Sequence, residues 1–375
     1  MSRNKRRSRN EPDLKVYNFR NLVNKETFTP IEISNVKKIA AASIKILSEI
    51  GMSDAPKELC ERVLDRGGKL EGDRLLYPSS LIEETIAKHK RVVLLAGQIE
   101  DHDLHVGKNY VYAGTGGAAP NLQSPKTNQY VPSKLKDLHN AARLADRLPN
   151  ISFFARSLVA GDIEDPLEFD LATAAASLAG TSKHVIVQAA HYSHVNAIAK
   201  LCYQIAGGEK SFRRRPFLSL NVNHAVPPLR FDPESVKVMM EATRLGIPVH
   251  CNVFGQLGAS SPVTIAGSVS QTLAETLAGL VSVHLINPEA DSIAGPRPMI
   301  TDLRTGGMAG GAPEQLMATA TAVQVLRCWE IPCSVIAGAT DSNSIDFQSG
   351  YEKALTINSA AQIGANLITQ AAGSQ

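Results

Sequence analysis

Cysteine pairs, long apolar runs, clustered acids and an excess of either charge are all missing from this 375-residue chain. The five cysteines, Cys60, Cys202, Cys251, Cys328 and Cys333, are scattered and never stand in the C-x-x-C spacing of zinc or redox sites. Reduced and mostly buried thiols are therefore expected. The formal net charge is only +3, and much of the basic excess lies in Arg3, Lys5, Arg6, Arg7 and Arg9. The folded body is then close to neutral, which calls for no nucleic-acid partner. The basic start has no apolar run of the kind a signal peptide needs, and no stretch approaches the ~18 uncharged apolar residues of a membrane span. A cytoplasmic protein with no membrane partner is the expectation. What is present is an apolar share of 43%, enough for one large domain with an accessory part.

Residues 1–24 are charged and poor in large apolar groups, and read as a disordered basic tail. An N-terminal accessory region follows over 25–107. There Ile33, Val36, Ile39, Ala40, Ile44 and Leu47 recur at helical spacing and Gly51 closes the pattern, with further helices predicted near 56–66 and 78–90. Asp101, His102, Asp103 and His105 read as a solvated accessory strand in preference to a metal cluster, because alternation sends His and Asp to opposite faces.

From residue 108 onward, strand-length apolar runs alternate with amphipathic helix-length segments. Strands are predicted at 110–113, 152–159, 184–188, 217–223, from 249, and at 292–294, 334–337 and 366–370. Helices are predicted at 133–148, 166–179, 194–205, 232–245, after Pro262, and at 313–329 and 348–363. The run at 249 shows the logic. Val249, Cys251 and Val253 alternate with His250, Asn252 and Phe254, as in a strand with two different faces, until Gly255 breaks it. Eight strands with seven intervening helices suit an α/β fold of the (β/α)₈ TIM-barrel class better than an open doubly wound sheet. No eighth helix follows residue 370. That predicts a truncated C-terminal end, with exposed apolar strips on helices 133–148 and 348–363 and on the last strand.

In a barrel, chemistry sits at the C-terminal strand ends. There the chain offers Gly116-Gly117, Asp162, Gln188, Asn221, Asn223, His224, Asn252, Gln256, Arg297, Asp341 and Gln370. This inventory is rich in amides and poor in acids. It provides neither the clustered Asp/Glu/His of a metal site nor a carboxylate dyad. Asn223, Asn252 and Asp341, from three different strands, are expected to line one pocket. His191 and His194 could share a helix face as metal ligands do, yet no third ligand is evident, and capping or surface roles are preferred. The Gly306-Gly307 and Gly310-Gly311 loop could cradle a phosphate through its N–H groups, but no P-loop lysine accompanies it.

Three separated stretches, NVFGQLGASSPVTIAGSVSQTLAETLAGLVSVHLINPEADSIAGP, RTGGMAGGAPEQLM and DSNSIDFQSGYEKAL, resemble the trimethylamine methyltransferase family. The similarity runs from about residue 31 to the end. This resemblance implies a (β/α)₈ barrel that moves a methyl group from a quaternary or tertiary methylated amine, such as glycine betaine or trimethylamine, to the Co(I) of a separate corrinoid protein. No cofactor would be bound directly, since the chain has no Asp-x-His-x-x-Gly cobalamin pattern; cobalamin would arrive on the partner. Trimethylamine-specific members carry pyrrolysine at a late strand end, near Ala339, Thr340 and Asp341 here. None is written, so the chain resembles the non-pyrrolysine branch.

For that chemistry the strand-end positions nominate Asp341 and Asn252 as catalytic residues. Asn223, His224, Gln256, Arg297, Tyr112 and Phe254 are nominated for substrate binding. Aromatic faces or Asp341 would hold the cation, and Arg297 or His224 a betaine carboxylate. No metal ligand is assigned, and a homo-oligomer is expected. Two other readings compete: a TIM-barrel lyase or isomerase with a phosphate-bearing substrate, and a truncated, non-catalytic homologue.

Overall fold

The computed structural model describes residues 28–124 and 127–372, so the predicted basic tail lies outside the described residues. Eight parallel strands build the centre: β1 Tyr112–Thr115, β2 Phe153–Ala155, β3 His184–Val187, β4 Leu218–Asn223, β5 Val249–Gln256, β6 Ser292–Met299, β7 Ser334–Ile336 and β8 Leu367–Ala372. Their order in the sheet is β6-β5-β4-β3-β2-β1-β8-β7. The two edge strands then meet at the parallel bridge Ala294↔Cys333, where the Ala294 N–H donates to the Pro332 carbonyl at 3.0 Å. The sheet is thereby closed into a barrel. One long helix follows each of the first seven strands: α1 Leu135–Arg147, α2 Pro166–Gly180, α3 Tyr192–Ile205, α4 Pro233–Arg244, α5 Ile265–Ile286, α6 Pro313–Cys328 and α7 Phe347–Ile363, with a short helix, Glu209–Arg214, between α3 and β4.

Alternation along the strands divides outside from inside. Leu218, Leu220 and Val222 of β4, with Val249, Cys251 and Val253 of β5, join the core beneath the helices. The intervening residues face the barrel axis. At the N-terminal end, Tyr112, Phe153, Ile186, Ile293 and Leu367 pack with Val93, Leu95, Leu104 and Val106. Those last four belong to the antiparallel hairpin of strands Val92–Leu95 and Leu104–Gly107, which plugs the barrel from below. Asp101 and His102 lie on a short 3₁₀ turn within this hairpin's connection and not on a solvated strand, because Asp103 is held by Arg215 at 2.7 Å and His102 by Ser182 at 2.9 Å.

The accessory helices of residues 33–88 cover α5, with Ile33–Glu49 lying along it. By length and composition α5 could cross a membrane, against the expectation that no such stretch exists, but 89% of its apolar window is buried inside the protein. Two further boundaries differ from the sequence reading. The cap of α5 is Thr264, whose side chain accepts from the Gly267 N–H, instead of the Ser-Ser-Pro at 260–262. Strand β6 runs on through Gly295 and Pro296 to Met299, paired with β5 throughout. Beyond Ala294 no pairing with β7 continues, so the missing proline N–H groups forfeit no ladder bond there. Of the expected apolar strips, the helices show single exposed side chains, Leu144 and Leu148 at the first and Tyr351 on the last. They are absent from β8, whose Leu367 and Ile368 are buried.

Candidate active site

At the C-terminal strand ends the barrel opens into a cavity of about 580 Å³ that is partly continuous with solvent. Arg297, at the top of β6, is only 4% exposed. Its Nη1 donates to Thr369 Oγ1 of β8 at 3.1 Å, and its Nη2 to Asn252 Oδ1 of β5 at 3.0 Å. The guanidinium lies over the Phe254 ring, 5.4 Å from its centroid. All these partners are neutral, and the Nε–H has none. Burial pulls its pKa down to about 10, which leaves the group charged at neutral pH. Gly295 makes the arrangement possible. A Cβ there would collide with Asn252 Oδ1, the atom that Arg297 uses.

Arg156, just past β2, supplies a second guanidinium to the cavity. Its Nη2 donates to Gln188 Oε1, its plane faces Phe169 at 5.7 Å, and its Nε–H is buried without a partner. Burial lowers its pKa, and the charge of Asp170 opposes that shift. Asp170 is itself engaged elsewhere, accepting through Oδ2 from the Ala190 N–H at 2.8 Å and from His194 at 2.7 Å. Amides complete the wall: Asn221, Asn223, Asn252, Gln188 and Gln370. The Asn221 Oδ1 is also buried and unpaired. Among the described residues, no carboxylate lines the cavity and Phe254 is its sole aromatic ring. No three His, Cys, Asp or Glu side chains converge as metal ligands among those residues.

Of the nominated residues, Asn223, Asn252, Phe254 and Arg297 meet in this cavity. The other four do not. Tyr112 sits in the apolar layer at the opposite end, stacked 6.4 Å from Tyr110, because β1 begins two residues later than predicted. His224 follows the last β4 residue and turns outward, its Nε2 2.9 Å from the Glu275 carbonyl of α5. Gly279 leaves it room, since a Cβ there would lie 2.5 Å from the ring. Gln256 closes the turn after β5, its carbonyl accepting from the Ser260 and Ser261 N–H groups at 3.0 and 2.9 Å. Asp341 stays outside the pocket and exposed, where its carboxylate accepts from the Gly310 N–H at 2.9 Å and anchors the glycine loop. The expected trio of Asn223, Asn252 and Asp341 is thus reduced to its two asparagines. His191 does cap α3, accepting from the Ser193 N–H at 3.2 Å.

Arg156, Gln188, Asn221, Thr369 and Gln370 were not nominated. Gln188, Asn221 and Gln370 stood in the strand-end inventory, and their shared polarity was the available signal. Arg156 is harder to find. Phe153 and Ala155 face inward and Phe154 packs outward near Leu138, so strict alternation would send Arg156 outward too. Arg156 lies one residue past the strand, its N–H donating to the Ile186 carbonyl at 3.1 Å and its carbonyl accepting from the Ala118 N–H at 3.2 Å, and its side chain nonetheless enters the cavity.

The family model described as trimethylamine methyltransferase (MTTB) matches residues 1–375. The chain belongs to the trimethylamine methyltransferase family. It is 27% identical over 332 residues to the trimethylamine methyltransferase MttB of Desulfitobacterium hafniense (strain DSM 10664 / DCB-2), covering 88% of this chain and 66% of that one. It is 25% identical over 339 residues to the glycine betaine methyltransferase of Desulfitobacterium hafniense (strain Y51), covering 90% and 70%. With the trimethylamine methyltransferase MttB of Methanosarcina barkeri it shares 30% over 241 residues, 64% of this chain and 48% of the relative. The chain therefore spans between about half and seven tenths of these family members' own length.

Proposed function

We propose that this chain transfers a methyl group from a small methylated amine to the Co(I) of a corrinoid carried by a separate protein. The observation that carries the reading is the acid-free cavity of amides and guanidinium groups at the barrel mouth of a family member. In the proposed step the methyl–nitrogen bond breaks, its electron pair stays on nitrogen, and the Co(I) lone pair forms the new bond to carbon. A quaternary ammonium then leaves as a neutral tertiary amine, so no general acid is needed. The protein's task is to bind the amine and hold one methyl group toward the mouth. Asn223, Asn252 and Gln188 line that approach and donate or accept without titrating.

Exposed apolar side chains on the loops around the mouth support docking of a partner there. Val263, Leu303, Met308, Ile345 and Phe347 stand in solvent at this end, with Phe347 90% exposed. The phosphate reading has less support. Gly310 already gives its N–H to Asp341, and Glu352 lies against Gly311, so the loop presents carboxylates where a phosphate would bind. The test mixes the protein with its Co(I) corrinoid partner and a panel of tertiary and quaternary methylated amines. Loss of the Co(I) absorption that depends on both protein and amine is expected. A folded protein that consumes no Co(I) with any amine overturns the proposal in favour of a non-catalytic homologue.

A further inference from the structure

We infer that Gln370 touches the ligand: a bulge in β8 holds its backbone in the left-handed region so that its side-chain amide enters the cavity and orients the amine for transfer. The nature of the ligand rests on the methyl-transfer reading; the aim of Gln370 rests on the strand. Leu367 and Thr369 of β8 face the barrel axis, Leu367 in the lower apolar layer and Thr369 in the cavity wall. Strict alternation would then send Gln370 outward. It does not go there, since Thr369 and Gln370, consecutive residues, both line the cavity.

The cause is an interruption of the ladder. Between the pairs Ile368↔Ala113 and Ala372↔Thr115, β8 takes four steps while β1 takes two, and the last pair of β8 with β7 is Ile336↔Thr369. Gln370 falls inside this bulge with φ of 70°, a conformation that residues with a Cβ avoid because it crowds the following carbonyl. Bulges beside active sites re-aim side chains in this way. Both neighbouring strands make room for it. A Cβ on Gly338, after β7, would lie 2.8 Å from the Gln370 carbonyl oxygen, and one on Gly116, after β1, 3.3 Å from its N and Cγ. Three strands are thus adapted to the placement of one side chain.

No hydrogen bond within the protein offsets that strain. Among the described residues the Gln370 side-chain amide has no hydrogen-bond partner. Its neighbour Thr369 is fully engaged, donating its hydroxyl to the Val335 carbonyl at 2.9 Å and accepting from Arg297 at 3.1 Å. The side-chain oxygens of Asn252 and Gln188 are likewise taken, by Arg297 and Arg156. Gln370 therefore presents both a carbonyl oxygen and an NH₂ group to a cavity whose described lining has no carboxylate. A strained backbone carrying an unengaged amide into a cavity wall marks a residue whose partner is the ligand. Its oxygen can meet the positive end of an amine with a dipole in place of a charge.

The test compares the full chain with its Gln370→Ala and Gln370→Gly variants. Both substitutions remove the amide, and only glycine relieves the left-handed backbone. In an ordinary strand alanine is the more stable of the two, so the expected order of thermal melts is the reverse, with Gln370→Gly above Gln370→Ala. In calorimetric titrations with glycine betaine and trimethylamine as probes, both variants are expected to bind about 5-fold more weakly than the parent, the scale of one hydrogen bond. Consumption of Co(I) with the corrinoid partner should slow about 100-fold in both, because lost orientation weighs more on transfer than on binding. Gln370→Ala melting above Gln370→Gly overturns the strained aim, and a parent-like rate of transfer in either variant overturns the contact. The methyl-transfer reading is judged separately. A parent that binds a probe yet consumes no Co(I) refutes that reading and leaves the calorimetry to decide the contact, where parent-like affinity in the variants overturns it. A parent that binds neither probe overturns the inference outright.

Discussion

The two ends of the barrel are made by the same strands from opposite materials. Strand β3 contributes Ile186 and then, two residues on, Gln188; β6 contributes Ile293 below and Arg297 above; β8 contributes Leu367 below and Thr369 above. The lower end is sealed by a hairpin whose Val93, Leu95, Leu104 and Val106 bury against that layer. The upper end is left polar, partly open and rimmed by exposed apolar loops. The lower end lowers the free energy of the fold through apolar burial, whereas the upper end holds charge that burial penalises. Stability and binding are therefore separable along the axis of one barrel.

The largest effect should come from hollowing the lower end. Phe153 is fully buried, and its ring also lies against Gly114. Phe153→Ala is expected to cost about 3–5 kcal/mol in chemical denaturation. A loss under 1 kcal/mol would mean that the hairpin plug does not anchor the barrel.

Protonation probes the same end next. His184 is buried between the Ala96 carbonyl at 2.9 Å and Ser219 Oγ at 2.8 Å, and Ser219 in turn meets His250 at 2.9 Å. Burial lowers the pKa of His184 to about 4, and that of His250 lies well below its ordinary value. The unfolded chain takes up these protons near pH 6.5 while the native state refuses them. No penalty therefore exists above pH 6.5, and it grows as pH falls until it is complete below about 4. His184 alone should account for about 3 kcal/mol on that scale. Denaturation midpoints that stay level between pH 6.5 and 4 would contradict neutral burial.

At the upper end the signs reverse. Arg297→Met removes a buried charge with no counterion, and is expected to raise stability by about 1–3 kcal/mol while betaine binding is lost. A destabilised Arg297→Met that still binds would show the guanidinium to be structural. Gly295→Ala, which touches no cavity surface, should displace Asn252 from Arg297 and weaken betaine binding by about 10-fold. Unaltered binding in that variant would remove Asn252 from the site.

The smallest change in stability is expected at the rim. Phe347→Ser should alter the fold by less than about 0.5 kcal/mol, since the ring is 90% exposed, yet slow transfer to a corrinoid partner. A full rate with the protein-bound corrinoid would place docking elsewhere.

Local sequence was sufficient for the alternating architecture because each barrel element carries its own period. Val249, Cys251 and Val253 alternate with His250, Asn252 and Phe254, and Asn223, Asn252, Phe254 and Arg297 could be placed at a common mouth from strand ends alone. The same rule failed for Tyr112, His224, Gln256 and Asp341, where a shift of one or two residues, or a loop bond, turned the side chain elsewhere. It also passed over Arg156, which lies one residue past the end of β2 and enters the cavity against the strand's alternation. What the amino-acid order determined by itself is the succession of strands and helices, the apolar faces, and an acid-poor set of strand ends, because these depend on neighbours a few residues away. Which polar groups share one cavity, and that two arginines enter it with no carboxylate in its lining, was decided only by closure of the barrel, which sets Arg156, Asn252, Arg297 and Thr369 around one space from four different strands.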